Sequence, residues 1–197
     1  AIPRTSGRLL CNGKEIDAQS IQQAQDMGIQ TVYQDLALAP DLNVPCNIFL
    51  GREIIKQSFF GKLFNILDMK QMEKISREHL AELGIGLKSM TVPVKSLSGG
   101  ERQALAVAKA VAWCESVLIM DEPTAALGAR QQALVYSTMR AAADKDLGVI
   151  VISHDIPKML EVSDRIYIMR QGEVIANLVS RETNLQTVLS LMLTGKA

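Results

Sequence analysis

The chain has 197 residues, 48% of them hydrophobic, which is enough to bury a core in one domain with a subdomain. Lysine plus arginine and aspartate plus glutamate both number 21, so no net basic field is available and we expect no nucleic-acid partner. No apolar run approaches the roughly 18 residues that a membrane span needs. We therefore expect any link to a membrane to come through a partner.

The first predicted elements are a hairpin and a helix. In "GRLLCNGKEI" the pair Asn12-Gly13 is a strong two-residue turn signal between short apolar runs. A polar helix is expected from Ser20 to Met27, and Gly28 ends it.

Three short apolar runs predict the central strands. They are "IQTVY" (29–33), "SVLIM" (116–120) and "GVIVI" (148–152). Runs of this kind are typical of parallel strands that helices cover on both faces.

Between the first and second strands the chain is predicted to be helical. Asp68 can cap a helix that ends at Gly84, and a second helix follows the glycine pair at 99–100. Its residues Leu105, Ala108 and Val111 share one face. We expect residues 41–113 to form a helical subdomain without strands, inserted in an α/β core made of 1–40 and 114–197.

The remaining elements complete the predicted fold. Helices are expected near 129–143, 156–162 and 183–193, with a second hairpin that turns at Gln171-Gly172. The fold class is α/β, a mostly parallel sheet with helices on its faces and antiparallel hairpins at its periphery.

The three cysteines, Cys11, Cys46 and Cys114, lie far apart and form no C-x-x-C pair. This spacing suggests neither a disulfide framework nor a zinc site. A reducing cytoplasm is the compartment that fits best.

Polar residues follow each predicted central strand, where ligands bind in open α/β sheets. Asp121 is a candidate ligand for Mg²⁺, which takes one or two carboxylates beside water and phosphates. Glu122 could activate water as a general base, and Pro123 after it favours an extended backbone at Glu122. The two acids could instead cap the next helix.

Gln34 and His154 are the other two candidates at strand ends. Gln34 could ligate Mg²⁺ or a water molecule, and His154 could bond a phosphate oxygen or position the attacking water. Each could equally be an ordinary residue at the start of a loop. His79 lies in a charged helical stretch, and no chemistry is assigned to it.

The stretch "SLSGGERQALAVAKAV" (96–111) places a serine and two glycines directly before a helical pattern. Such a helix start can hold a phosphate, because its backbone N–H groups and its dipole favour an anion. The sequence contains no G-x-x-x-x-G-K-[ST] loop, which normally wraps a nucleotide's phosphates.

Four segments together resemble the nucleotide-binding subunit of ABC transporters. They are Gln34, "LSGGE" (97–101), "VLIMDE" (117–122) and "SHD" (153–155), in one order and at matching spacings. The resemblance covers nearly the whole chain. It implies a P-loop NTPase-type ATPase with a Q-loop glutamine, signature motif, Walker B strand and switch histidine at these positions.

In that family two ATPase domains sandwich two ATP molecules, and each signature loop covers the γ-phosphate held mainly by the other subunit. The resemblance therefore implies that Ser98, Gly99, Gly100 and Glu101 contact the ATP of a partner subunit. It also implies Mg²⁺ at Asp121 and Gln34.

The chain departs from the family pattern in three places. Glu101 replaces the usual final glutamine of the signature, and Gly128 stands where the family often has aspartate in its D-loop. The third is the Walker A region, which we expect upstream of Ala1 as roughly 25 residues at typical element lengths. The chain is then truncated, with very weak ATP binding and no appreciable hydrolysis alone. A naturally degenerate subunit is the alternative.

The segments "VYQDLALAPDLNVPCNIFLGRE" and "EPTAALGARQ" resemble bacterial importers of ribose-, galactose- or fructose-type sugars. This implies membrane permease subunits and, indirectly, a substrate-binding protein as partners, with the chain peripheral at the cytoplasmic face of the cell membrane. Two alternatives stay open, a non-transport ABC ATPase and a nucleotide-free interaction module. The short, neutral helical insertion argues against the former.

The transporter interpretation also implies a groove near Asp41–Arg52 that receives a coupling helix of the permease. The apolar candidates for this contact are Leu42, Val44, Ile48 and Phe49. Any of them could instead pack in the subdomain core.

Overall fold

The computed structural model describes residues 5–17, 20–33, 35–125 and 127–195. The chain divides into two compact units, Ala1–Ile152 and Ser153–Ala197. The subdomain boundaries expected at residues 41 and 113 stay a prediction. Among the described residues, no helix is both long enough and apolar enough to cross a membrane.

The first unit contains, in chain order, β1 (Leu9–Cys11), β2 (Lys14–Ile16), α1 (Ile21–Asp26), β3 (Ile29–Val32), α2 (Val44–Ile48), α3 (Phe59–Leu63), α4 (Met69–Glu82), α5 (Gly99–Ala112), β4 (Val117–Asp121), α6 (Ala129–Ala143) and β5 (Gly148–Ile152). Residues 41–113 are all described and contain no strand, as the sequence predicted.

The second unit contains α7 (Ile156–Val162), β6 (Arg165–Arg170), β7 (Glu173–Val179) and α8 (Leu185–Thr194). The antiparallel hairpin of β6 and β7 turns at Gln171-Gly172, both with positive φ, as the sequence predicted. Val188 and Leu191 of α8 pack on Ile168 of β6 and form the core of this unit.

The cap predicted at Asp68 is confirmed, and Ser20 caps the helix predicted near it. Ser20 accepts the N–H of Gln23 before α1, and Asp68 accepts the N–H of Gln71 before α4. Gly84 follows α4 with φ of 69°, a conformation that glycine adopts without strain. Local sequence therefore determines where these helices begin and end.

Strands β3, β4 and β5 form a parallel sheet with β4 in the centre. The register places Leu118 and Met120 of β4 on one face, and both are fully buried. The opposite face carries Ile150 and Ile152 of β5, each 54% exposed. Among the described residues no helix covers these two side chains, so the prediction of helices on both faces is not met at β5.

A short helix and the loop before it form a core inside the helical block. The side-chain amide of Asn47 is fully buried; it donates to the carbonyls of Ala39, Leu42 and Asn43 and accepts the N–H of Ala39. The indole of Trp113 donates to the carbonyl of Ile48 at 2.9 Å. The Asn47 bonds fix the loop on α2, and the Trp113 bond fixes α2 against the end of α5.

Three of the four predicted docking residues belong to this core. Val44, Ile48 and Phe49 are buried, so their prediction as permease contacts is wrong. Hydrophobic packing against neighbouring helices removes them from the surface. Leu42 is 38% exposed, and its contact with a partner stays a prediction.

Helix α3 carries a cluster of exposed aromatic side chains, Phe59, Phe60 and Phe64, with Phe59 at 77% exposure. Phe60 makes an edge contact with Phe59 and stacks on Phe64. The rings therefore contact one another while most of their surface remains available to a partner.

Candidate functional site

Residues Ser98–Glu101, called the signature turn below, open helix α5 with a reciprocal cap. The Oγ of Ser98 accepts the N–H of Glu101 at 3.3 Å, and the carboxylate of Glu101 accepts the N–H of Ser98 at 2.8 Å. This capping box satisfies two of the N–H groups that a helix start leaves without an intrahelical partner. Ser98 remains exposed.

Glu101 stabilises the turn as a charged group. Hydrogen bonds from the backbone N–H and the side chain of Ser98 hold the pKa of the Glu101 carboxyl below its usual value. A carboxylate in the first turn also interacts favourably with the helix dipole. The structure thus gives Glu101 a capping role, and its predicted contact with a nucleotide stays a prediction.

The two glycines of the turn have different environments. A Cβ atom on Gly100 would lie 2.5 Å from Cγ and 2.6 Å from Cβ of Gln131 in α6. A Cβ atom on Gly99 would meet only Leu127 Cδ2, at an ordinary 3.7 Å. Packing inside this chain therefore requires glycine at position 100 but not at 99. The bare backbone of Gly99 is suited to the close approach of an anion.

The acidic pair lies where strand β4 ends. Asp121 is the last residue of β4 and points to the half-exposed face of the sheet, in register with Ile152. Glu122 donates its N–H to the carbonyl of Ile152 at 2.9 Å, so pairing with β5 extends one residue past the strand.

Glu122 has φ of 47°, in the left-handed region, so the predicted extended backbone at this residue is wrong. The backbone must keep the hydrogen bond to Ile152 while the chain leaves the sheet at Pro123, and this overrides the preference of a residue before proline. Such a conformation costs about 1–3 kcal/mol for a residue other than glycine. Strained residues of this kind cluster at active sites.

Local hydrogen bonds hold several of the described residues between Glu122 and α6. The N–H of Ala125 bonds the carbonyl of Glu122, and the Thr124 hydroxyl bonds that of Tyr136 at 3.1 Å in the interior. Gly128 is the residue before α6, and its N–H donates to Gln131 Oε1 at 2.9 Å.

Sequence reasoning missed Gln131, although a signal was present. Glutamine at the third position of a helix is half of a capping-box pattern. The pattern was hidden because Gly128 has no side chain with which to complete it.

The other two strand-end candidates are Gln34 and His154. Gln34 lies outside the described residues, and Val32 before it pairs with Met120. His154 lies in the second unit, where it is exposed and its carbonyl accepts the N–H of Ile156 at 3.0 Å. Both assignments stay predictions.

No group of three or more histidine, cysteine, aspartate or glutamate side chains arranged to hold a metal occurs in the part of the chain that the structure describes. Asp121 at the strand end still fits Mg²⁺, because this ion keeps several waters and needs only one or two carboxylates beside phosphates.

A cavity of about 300 Å³ lies between the segment that follows β3 and the start of α5. Its lining residues are Asp35, Leu36, Ala37, Leu38, Pro40, Val94, Lys95 and Arg102. The Nζ of Lys109 in α5 donates to the carbonyl of Ala37 at 3.1 Å and ties this segment to the helix.

Comparison with known proteins gives the family. Residues 1–125 match the family described as ABC transporter. The chain belongs to the ABC transporter family. The fold agrees, since a dimeric, post-hydrolysis ATP-binding cassette, MJ0796 bound to ADP and Pi, superimposes with a TM-score of 0.70 at 21% identity, covering 91% of this chain and 76% of that one.

Similar family members are ATP-binding proteins named for sugar import. The chain is 40% identical over its full length to the fructose import ATP-binding protein FrcA of Rhizobium meliloti and covers 76% of it. It is 40% identical over 94% of its length to the xylose/arabinose import protein XylG of Sulfolobus acidocaldarius, covering 71%. The ribose import protein RbsA of Bacillus cereus is 33% identical over 96% of this chain, which spans 37% of RbsA.

The glycine environments predict opposite effects of two alanine substitutions on stability. Gly100→Ala should destabilise the fold by about 1–3 kcal/mol, because Gln131 Cβ is fixed to α6 and the two helices must separate. Gly99→Ala is expected to change stability by no more than about 0.5–1 kcal/mol, towards stabilisation. Denaturant unfolding of both variants measures the difference, and equal destabilisation would contradict the packing role of Gly100.

Proposed function

We propose that this chain is the ATP-binding subunit of a sugar importer and that its signature turn completes the nucleotide site of a second ATP-binding subunit. The observation that carries the proposal is the different environment of the turn's residues. Gly100 is held by α6, whereas Ser98 and the backbone of Gly99 remain accessible at the start of a 14-residue helix.

The chemistry of this turn suits a phosphate. The N–H groups of the first helical turn lack intrahelical acceptors, and the dipole places partial positive charge there. A bound γ-phosphate can therefore accept hydrogen bonds from the backbone at Gly99. The names of the sugar-import relatives support ATP as the ligand.

The residues at the strand ends are assigned to this chain's own nucleotide. Asp121 would hold Mg²⁺, and the ion when bound neutralises charge on the phosphates. Glu122 would take a proton from the attacking water, with its backbone fixed by the bond to Ile152. Gln34 is assigned to the metal ion or a water molecule, and His154 is assigned to the γ-phosphate.

The proposed partners are a second ATP-binding subunit and the permease subunits of a membrane complex, with a substrate-binding protein reached only indirectly. The chain would lie peripherally at the cytoplasmic face of the membrane. For the permease contact we propose the cavity lined by Leu36 and Arg102, together with the aromatic cluster of α3. The cavity has a mixed apolar and charged lining, and the aromatic cluster is an exposed apolar surface; both lie in the first unit.

An assembly of two different subunits tests the signature turn. The partner is a related ATP-binding subunit that has a G-x-x-x-x-G-K-[ST] loop and whose own signature serine has been replaced, so that its homodimers are inactive. Because the 197-residue chain contains no such loop, we expect no appreciable hydrolysis by it alone. Mixing the two subunits should restore ATP turnover.

In this assembly Ser98→Asp should reduce turnover on the order of tenfold or more, because aspartate keeps the helix cap but places negative charge beside the phosphate. Ser20→Asp, at the cap of α1, is the matched control and should leave turnover unchanged. If the mixture does not hydrolyse ATP, or if Ser98→Asp is fully active, the result favours the alternative of a nucleotide-free interaction module.

Glu122 is tested in a chimera that adds the strand, loop and helix of a related subunit to this chain. Glu122→Gln should lower ATP hydrolysis on the order of 100-fold or more, since the amide cannot accept the proton from water. ATP binding should persist. Glu115→Gln, at an exposed position before β4, serves as control, and unchanged turnover in Glu122→Gln would remove the assigned role.

The permease surface is tested by cosedimentation with membranes that contain the permease of a related importer. Leu36→Asp and Phe60→Ser should each weaken binding several-fold, because a charge or a lost ring removes apolar contact area. Leu9→Asp, at an exposed apolar position of β1, is the control. Binding of both variants at the native level would show that the permease uses another surface.

A further inference from the structure

The side chain of Gln131 contacts two functional segments at once. Its Oε1 accepts the N–H of Gly128, at the end of the loop that leaves Glu122. Its Cβ and Cγ occupy the space beside Gly100 that a side chain there would need. The residue is half-buried between the start of α5 and the start of α6.

The hydrogen bond to Gly128 determines where the Gln131 side chain lies. A glutamine side chain has three rotatable bonds and is free to turn towards solvent unless a bond holds it. Once Oε1 is held at Gly128, the aliphatic part of the side chain must lie against Gly100. The bond therefore holds Cγ beside Gly100, whereas Cβ is placed there by the backbone of α6.

We propose that Gln131 is a positioning residue that fixes the signature turn against the loop after β4. The position of α5 determines where the signature turn can contact a phosphate. The contact of Gln131 with Gly100 determines where the start of α5 lies. This inference rests on the proposed function, since it concerns the same signature turn and the ATP of the partner subunit.

Two substitutions separate hydrogen bonding from packing. Gln131→Glu keeps an acceptor oxygen and the same carbon chain, and a carboxylate is favourable in the first turn of α6. Gln131→Met keeps the length and apolar volume but offers only a weak acceptor to Gly128. A side chain that merely fills space would be replaced equally well by methionine.

The test uses the two-subunit assembly in which only this chain supplies a working signature turn. Gln131→Met and Gln131→Ala should lower turnover at saturating ATP on the order of tenfold, since small misplacement of a positioning group costs this much or more. Gln131→Glu should stay within about twofold. Gln132→Ala, at the next position of α6, is the matched control and should behave as the native chain.

A second measurement applies if Gln131→Ala does not fold. Amide hydrogen exchange at Gly128 should be faster in Gln131→Met than in the native chain and unchanged in Gln131→Glu. The methionine and glutamate variants alone then decide the question.

Four outcomes contradict one of the two proposals. If Gln131→Met keeps native turnover, Gln131 only fills space beside Gly100. If Gln131→Glu loses turnover, the acceptor oxygen does not have the proposed role. If Ser98→Asp is inactive but every Gln131 variant is fully active, only the positioning role fails. If Ser98→Asp is active, the proposed function itself fails.

Discussion

The contact of Gly100 with Gln131 is the constraint on which the signature turn depends. The capping box between Ser98 and Glu101 fixes the shape of the turn, but it cannot fix where the turn lies. Its position comes from the packing of α5 on α6, and the absence of a Cβ at Gly100 lets the two helices approach. Because interiors are close-packed, a single added carbon there would move the turn as a unit.

The central sheet supports the acidic pair, Asp121 and Glu122. One face of β3, β4 and β5 is buried, and Leu118 and Met120 fill its centre. Asp121 lies on the other face, so the rigid strand holds its carboxylate without removing it from solvent. At Glu122 the chain leaves the sheet with a strained backbone that the bond to Ile152 maintains. A carboxylate that binds a metal ion or orients a water molecule at this edge must be both rigidly supported and accessible.

The composition of the helical block does not show which of its apolar side chains are buried and which are exposed. Residues Val44, Ile48 and Phe49 look like a docking surface in sequence but are buried, and Phe49 makes an edge contact with Trp113. The rings of Phe59, Phe60 and Phe64, in contrast, remain exposed. Hydrophobicity alone cannot distinguish these two sets, because both are apolar and both lie on short helices or loops.

The sequence by itself determined the local elements: the cap at Asp68, the three central strands, and the strand-free block between the first two. These follow from the hydrogen-bonding capacity and preferred backbone angles of neighbouring residues, which do not depend on the rest of the fold. Only the tertiary structure decided which face of the sheet is buried, that Gly100 is required by packing while Gly99 is not, and that Gln131 links the two segments. Those outcomes depend on residues far apart in the chain that meet only when the helices pack.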